Sequence, residues 1–215
     1  MKIKNKKFTL RYGENPNQKA YLINKSLKTI FDFQINGKKI SYNNIIDVDS
    51  GIRCLNEFSE PTSIIVKHTN PCGVASANNI DTAFTKSYES DKKSAFGGII
   101  LLNRRVNESL AKKIVKNFFE MIIAPKFEKT AIKILSSKKN LILLELAKSK
   151  MQEMEYRSTL FGDLYQTKDL DTINQKFIKL VTEKQGSKKN IDDLIFSLKV
   201  VKHLKSNAVV LSKNK

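Results

Sequence analysis

A lysine and a histidine stand side by side at the end of an apolar run, in the stretch IIVKHTNPCGVA over residues 64–75. A positive charge beside an imidazole disfavours its protonation, so Lys67 favours a neutral His68 that can act as a base. The same ammonium group can stabilise negative charge that develops on an oxygen. The pair is therefore a candidate for proton transfer. A histidine at a strand end can equally be a simple hydrogen-bonded edge residue.

The surroundings of the pair predict how it is presented. Residues 62–66 are predicted to form a buried strand, and ligands of open α/β sheets bind outside the carboxyl ends of strands. Asn70 and Pro71 predict a turn, and Gly73 would let the backbone approach a ligand. Consecutive side chains of a strand point to opposite faces, so both members of the pair reach one ligand only if the strand stops at about Val66.

Three further stretches contain residues suited to binding. The loop LRYGENPNQ, residues 10–18, holds Arg11 and Tyr12 beside a glycine, and such a pair can clamp a phosphate and stack on a heterocycle. The stretch SAFGGIILLN, residues 94–103, has a Gly-Gly pair before an apolar strand, which indicates a tight turn or a close approach to a flat ligand. The stretch KSNA, residues 205–208, is by itself an ordinary helix exit.

The sequence does not indicate a metal site. Cys72 could be a nucleophile or, with His68, a zinc ligand, but zinc requires three or four ligands. The remaining candidates, Cys54 and His203, lie on predicted helices without ligand spacing. Cys72 is better explained as a small packing residue, and two cysteines without a CxxC pair suit a reducing compartment.

The elements that must position these residues alternate between strand and helix. Short apolar runs predict strands over residues 20–23, 29–35, 62–66, 98–102, 121–124, 141–146, 160–166 and 207–212. Helical periodicity predicts helices from Ser41, over 80–90, 108–119 and 127–137, and from Asn190. Phe118 is assigned to the apolar stripe of the helix over 108–119. Repeated β-α-β units with uninterrupted apolar strands favour an α/β fold with a mostly parallel sheet and flanking helices.

The net charge of +18 raises the question of nucleic-acid binding, since a basic face attracts phosphate. Only five of the 39 basic residues are arginines, and the lysines are spread over every segment. A solvated, lysine-coated surface explains this distribution better, and no nucleic-acid partner is expected.

The chain lacks the roughly 18 consecutive apolar residues that a membrane span needs, and no apolar signal core follows the basic N-terminus. We therefore expect a cytoplasmic protein without a membrane partner. Residues 1–8 are expected to be a disordered basic lead-in.

Five motifs occur together and in order. They are LRYGENPNQ, VKHTNPCGVA, SAFGGIILLNR, EMIIAP and VVKHLKSNAVV. Together they closely resemble the transformylase part of the AICAR transformylase/IMP cyclohydrolase family, from about residue 9 onward. The resemblance implies a cytidine-deaminase-like α/β fold without the deaminase zinc. It also implies formyl transfer from 10-formyltetrahydrofolate to the AICAR ribonucleotide, in de novo purine biosynthesis.

The resemblance also implies a role for individual residues. His68 matches the family's proton acceptor, and Lys67 matches the group that stabilises the transition state. The matched substrate-binding residues are Arg11, Tyr12, Gly97, Glu120 and Asn207. His68 is then expected to face a cavity lined by Arg11, Tyr12 and Gly97.

Members of this family also carry a cyclohydrolase domain before the LRYGENP loop and a second transformylase half after the SNA motif. We therefore expect residues 9–215 to be a partial transformylase region, truncated at the carboxyl terminus. A homodimer is expected of the complete family members, and a separate C-terminal half is a candidate partner. The alternative is an inactive or split-gene fragment that only binds the AICAR nucleotide.

Overall fold

The computed structural model describes residues 6–24, 28–147, 152–173, 178–179, 181–184 and 186–215. Its strands are β1 (Lys6–Thr9), β2 (Tyr21–Asn24), β3 (Gln34–Asn36), β4 (Thr62–Lys67), β5 (Asn70–Ser76), β6 (Ile99–Leu102), β7 (Met121–Ala124), β8 (Ile142–Glu145), β9 (Met154–Thr159) and β10 (Gly162–Thr167). Its α-helices are α1 (Tyr42–Leu55), α2 (Ile80–Ser90), α3 (Lys92–Ala95), α4 (Glu108–Ile114), α5 (Lys129–Leu135) and α6 (Lys188–Val201). Within these ranges, no helix is long and apolar enough to cross a bilayer.

Six strands form the central sheet, in the order β3-β8-β7-β6-β4-β5. β6, β7 and β8 are parallel. β4 runs antiparallel to both β6 and β5, and β3 runs antiparallel to β8. The predicted α/β class is confirmed, with parallel strands at the centre of a mixed sheet and antiparallel pairing on either side.

Both faces of the sheet are covered by helices, which explains why its central strands are continuously apolar. In β6, Ile100 and Leu102 join a cluster that includes residues of α2, α4 and α5. The alternate residues, Ile99 and Leu101, join a second cluster that includes residues of α1 and α6. All four side chains are at most 1% exposed. The sheet is therefore the middle layer of three.

Helix α1 begins where the sequence predicts it to begin. The Ser41 side chain accepts a hydrogen bond from the Asn44 amide, and the Asn44 side chain accepts one from the Ser41 amide. This reciprocal capping box satisfies two backbone donors that the first helical turn would leave unpaired. Val48 and Cys54 then bury one face of α1 against the sheet.

Several predicted boundaries are wrong. Residues 30–33 are a 3₁₀ helix rather than part of a strand, because Asp32 caps the Thr29 backbone and side chain and draws the chain into a turn. Helix α4 ends at Ile114, which leaves Phe118 exposed instead of in an apolar stripe. Residues 6–8 lie in β1 rather than in a disordered lead-in, whereas residues 1–5 are outside the described part.

The predicted strand over residues 207–212 is also wrong, since this segment is irregular. Its Val209 and Leu211 side chains are 84% and 93% exposed. Ser212 donates a hydrogen bond to the Asp193 carbonyl, and the segment thus packs back on α6 instead of pairing with a strand. β-branched composition alone did not determine the conformation, because strand propensity depends strongly on tertiary context.

The strand predicted near residues 160–166 is half of a hairpin. β9 and β10 pair antiparallel over their full length and form a two-stranded sheet of their own. The connection predicted over residues 148–158 lies partly outside the described residues.

The segment after His68 is a strand and not the predicted Asn-Pro turn. β5 pairs with β4 through a two-residue connection, His68 and Thr69, whose φ angles are 51° and 65°. Two positive φ angles in succession are what a tight hairpin turn of this hand requires. Pro71 lies within β5, which is an edge strand and therefore tolerates a residue without an N–H.

Gly73 serves packing between β5 and α2 and not the approach of a ligand. A Cβ atom at this position would lie 2.0 Å from the carbonyl oxygen of Ser87. This oxygen belongs to the backbone of α2, so a side chain at position 73 would force the helix away from the sheet.

We therefore expect Gly73→Ala to lower the free energy of unfolding by about 1 to 3 kcal/mol, the usual range for overpacking a well-packed site. The matched control is Gly186→Ala, at an exposed position where a Cβ would meet its nearest atom at 3.3 Å. Urea denaturation followed by circular dichroism measures both variants. Equal stability of the two variants would contradict the assigned role of Gly73.

Candidate functional site

The antiparallel direction of β4 determines where the candidate residues meet. β4 ends at Lys67, and its neighbour β6 begins opposite Val66. The carboxyl end of β4 therefore lies against the amino ends of β6 and β7, where Gly97 and Glu120 are found. The sequence-based argument from the carboxyl ends of parallel strands was wrong here, since β4 is not parallel to its neighbours.

Lys67 reaches across to the backbone before β6. Its ammonium group donates a hydrogen bond to the carbonyl oxygen of Phe96 at 3.0 Å. Gly97 follows with a φ of 66°, and a Cβ there would lie 3.1 Å from Lys67 Nζ and 3.2 Å from Phe118 Cε1. Glycine is thus required twice, for its left-handed backbone and for the space that the lysine occupies.

His68 is exposed at the tip of the β4–β5 hairpin. The imidazole is therefore not packed inside the core. The cavity expected around it is not closed by the described residues, because the imidazole faces solvent. Its backbone is held in the left-handed region, which non-glycine residues seldom adopt.

Glu120 lies one residue before β7 and forms an ion pair with Lys38 at 2.8 Å. Burial disfavours the charged carboxylate, but hydrogen bonds from Lys38 and Asn44 and the charges of Lys38 and Arg11 outweigh it, so the pKa of Glu120 is lowered. Glu120 is thus a carboxylate at neutral pH that balances two of the cations of the site.

A carboxylate of α1 lies on the other side of the pair. Asp47 accepts a hydrogen bond from the Thr69 amide at 2.7 Å. Burial raises the pKa of Asp47, while the Thr69 hydrogen bond, His68 and Lys67 act in the opposite direction. Glu120 adds to the increase. Asp47, Lys67, His68 and Glu120 therefore form one electrostatically connected cluster, which we call the turn cluster.

The loop with Arg11 and Tyr12 is connected to the turn cluster electrostatically, because the charge of Arg11 helps to lower the pKa of Glu120. The Arg11 guanidinium lies 4.5 Å from the centre of the Tyr12 ring and donates to its hydroxyl. Asn43 of α1 donates to the Glu14 carbonyl at 3.0 Å and so attaches the loop to the same helix that carries Asp47. Arg11 itself is exposed, which leaves its remaining donors available.

A cleft of about 460 Å³ opens beside Glu120 and Lys38. Its other lining residues come from the segments before β7 and β8 and include Lys116, Asn117, Phe118, Lys138, Lys139 and Asn140. Phe118 and Phe96 are 58% and 66% exposed, and their ring centres lie 5.2 Å apart. The edge of the sheet at the turn cluster is thus basic and partly aromatic.

Two sequence-based candidates lie apart from this cluster. Asn207 is exposed in the irregular segment after α6, a segment that is attached to α6 through Ser212. Cys72 donates its thiol to the Ile65 carbonyl, and burial raises its pKa to about 11. The thiol is therefore protonated at neutral pH and serves packing. The described residues contain no cluster of ligands that could hold a metal ion.

The contribution of α1 was not predicted from the sequence. Asn44, Asp47 and Ser50 are spaced three residues apart and contact Glu120 or the turn at residues 68 and 69. Residues three apart share a helix face. The row of polar residues beside the apolar stripe of α1 could therefore have indicated that this face lies against a polar site. Nothing in the sequence around Lys38 predicted its ion pair with Glu120.

The fold and the site define an α/β protein with a basic, partly aromatic binding edge at one end of a mixed sheet. The sequence model of the AICARFT/IMPCHase bienzyme family matches residues 1–215. The chain belongs to this family.

Curated relatives agree with the family assignment. The chain is 48% identical over 214 residues to the bifunctional purine biosynthesis protein PurH of Caldicellulosiruptor bescii, covering 96% of the chain and 42% of the relative. It is 47% identical over 208 residues to PurH of a Thermoanaerobacter species, covering 95% and 41%. It is 44% identical over 211 residues to PurH of Ligilactobacillus salivarius, covering 95% and 41%. The chain thus spans about two fifths of the length of these relatives.

The ion pair between Lys38 and Glu120 makes a testable contribution to stability. Because the pKa of Glu120 is lowered in the folded state, its contribution is present above the usual value of 4.5 and is lost as the pH falls through the folded value. We expect Lys38→Met to lower the free energy of unfolding by up to about 1 kcal/mol at pH 7, with a smaller difference below pH 4.5.

Denaturation at both pH values measures this difference. Lys39→Met, at the exposed neighbouring position, is the matched control. A loss of stability for Lys38→Met that is independent of pH would show that the ion pair is not its cause.

Proposed function

We propose that this chain provides the proton-transfer part of an AICAR formyltransferase in purine biosynthesis. In this reaction the formyl group passes from 10-formyltetrahydrofolate to the exocyclic amine of the AICAR ribonucleotide. The observation that carries the proposal is the placement of Lys67 at the end of β4 beside Gly97 and of His68 in the tight turn that follows, in a chain of this family. Its relatives are named as bifunctional purine biosynthesis proteins.

The chemistry requires the two groups that the turn presents. The amine of AICAR is conjugated to a ring that bears a carboxamide, so it is a poor nucleophile and needs a base as its bond to the formyl carbon forms. His68 is that base and accepts the amine proton. The formyl oxygen gathers negative charge, which the Lys67 ammonium stabilises. The intermediate then collapses as the bond from the formyl carbon to the folate nitrogen breaks, and that nitrogen takes up the proton held by His68, which releases tetrahydrofolate.

The remaining residues bind the nucleotide in this proposal. Arg11 takes the phosphate, because a guanidinium can donate two parallel hydrogen bonds to it. Tyr12 stacks on the heterocycle, Gly97 admits it close to the backbone, and Glu120 accepts from its polar groups. Asn207 is the further contact that the family resemblance implies.

The complete activity rests on more than this chain, since the relatives are more than twice as long. We propose a separate C-terminal half as the source of further folate contacts, a homodimer as the active assembly and the cytoplasm as its location. A protein that binds the nucleotide without turning it over is the second candidate, favoured by the solvent exposure of His68.

Formyl transfer by the purified chain, alone and mixed with the part of the Caldicellulosiruptor bescii relative that it does not match, tests the proposal. Turnover in either preparation supports the enzyme. Binding of the AICAR ribonucleotide without turnover in both supports the second candidate, and the absence of binding as well would contradict both.

In the preparation that turns over, we expect His68→Ala to lower kcat by about 10²- to 10⁴-fold, as for a lost general base. AICAR binding should change much less, because the imidazole acts in the transition state. The other histidine provides the control, since His203→Ala removes a residue that contacts Glu57 away from the turn. Unchanged turnover in His68→Ala would remove the base from the mechanism.

Lys67→Arg should also lower kcat, although it keeps the charge. The arginine fork differs in shape and reach from an ammonium group, and Lys67 Nζ lies so close to Gly97 that a Cβ there would approach it to 3.1 Å. Lys93→Arg, at an exposed position of α3, is the matched control. Equal rates for Lys67→Arg and the unsubstituted chain would show that only the charge matters.

Arg11→Ala should weaken binding of the AICAR ribonucleotide by about 1.5 to 3 kcal/mol, the usual value of a hydrogen bond to a charged group. Calorimetry on any preparation that binds the nucleotide measures this, with Arg157→Ala on the exposed β9 strand as the control. If the two variants bind equally well, the assignment of Arg11 to the phosphate is wrong.

A further inference from the structure

We propose that Asp47 and Ser50 of α1 are positioning residues, which hold the turn of His68 and Thr69 in its left-handed conformation and thereby aim the imidazole. This inference rests on the proposed function for its kinetic consequence. Its structural content is independent of that function and can be measured on the chain alone.

Both backbone groups of Thr69 are bonded to side chains of α1. The Thr69 amide donates to Asp47 Oδ1 at 2.7 Å, and the Thr69 carbonyl accepts from Ser50 Oγ at 2.6 Å. Asp47 and Ser50 are three residues apart and therefore share one side of the helix. The two hydrogen bonds fix the orientation of the residue next to His68, as one bond alone would not.

The turn needs such support because its residues do not favour its geometry. Consecutive residues with positive φ are the usual place for Asn-Gly or Gly-Gly, whereas here a histidine and a β-branched threonine occupy them. Threonine in the left-handed region is a pronounced outlier. Such a conformation persists only where the surrounding structure imposes it. The Thr69 and Asn70 side chains donate to the His68 carbonyl, and the two α1 side chains bond both backbone groups of Thr69.

The helix that carries the anchors is itself held against the sheet. Val48 and Cys54 are at most 4% exposed, and Gly51 lies so close to Leu101 that a Cβ would approach its side chain to 2.4 Å. On the other side of the turn, Lys67 is held by the Phe96 carbonyl. His68 is therefore placed between two anchored residues, one bonded to α1 and one bonded to the segment before β6.

The Asp47 carboxylate acts here as a hydrogen-bond acceptor. An asparagine can accept the same bond from the Thr69 amide through its side-chain oxygen, but an alanine cannot. Asp47→Asn and Asp47→Ala therefore separate the bond from the charge. Asp49, two positions along α1, is half-exposed and pairs with Arg53, which makes Asp49→Ala the matched control.

The first experiment measures amide hydrogen exchange by NMR on the chain alone. Asp47→Ala should speed exchange of the Thr69 amide by about 10- to 100-fold relative to the unsubstituted chain, as expected for one lost bond to a charged acceptor. Asp47→Asn and Asp49→Ala should leave it within about threefold. Unchanged Thr69 exchange in Asp47→Ala would overturn the proposal whatever the protein's activity.

Ser50→Ala covers the case in which Asp47→Ala does not fold. It removes the second bond, and the HN–Hα couplings of His68 and Thr69 should then shift from those of a positive φ towards those of an extended backbone. Couplings that stay as they are in the unsubstituted chain would show that the turn holds without α1.

The second experiment uses the preparation that turns over AICAR. Asp47→Ala should lower kcat by at least about tenfold with little change in KM, and Asp47→Asn should restore most of the loss. Equal losses for both Asp47 variants would overturn the positioning role in favour of charge. If His68→Ala leaves turnover unchanged, the proposed function fails, and the exchange experiment still decides the role of Asp47.

Discussion

The antiparallel pairing of β4 with β6 is the constraint on which the site depends. A parallel β4 would place Lys67 and His68 at the opposite edge of the sheet from Gly97 and Glu120. Because β4 is antiparallel to β6, the carboxyl end of β4 lies beside the amino ends of β6 and β7. The Lys67 side chain spans this distance and bonds the Phe96 carbonyl before β6. The pairing also requires a partner for the outer side of β4, and the short hairpin to β5 provides it.

At this end of the sheet, two carboxylates offset the positive charge of the neighbouring basic side chains. Lys38 and Arg11 act on the carboxylate of Glu120, and Lys67 acts on that of Asp47. Partly buried carboxylates lower the free-energy cost of placing several cations close together, since each reduces the repulsion among its neighbours. An anionic ligand at this edge would meet positive charge whose geometry is already fixed by these pairs.

Much of the central sheet followed from the sequence, because β4, β6, β7 and β8 are short apolar runs. The strand before Lys67, the cap at Ser41 and the strand at residues 121–124 were predicted within a residue. The direction of β4 was not predictable, since apolar periodicity carries no information on pairing partners. The turn at His68 was also missed, because its left-handed backbone is imposed by Asp47 and Ser50 and contradicts the preferences of its own residues.

The hydrogen bond from Lys67 to the Phe96 carbonyl has a directional consequence. An ammonium group has three N–H donors arranged tetrahedrally about the stem, and Phe96 takes one of them. Because the three donors are arranged tetrahedrally, the two that remain are directed away from the Phe96 carbonyl. An oxygen that binds Lys67 therefore approaches from a direction that this carbonyl does not occupy. A backbone carbonyl thereby limits the directions from which this lysine can bind an oxygen.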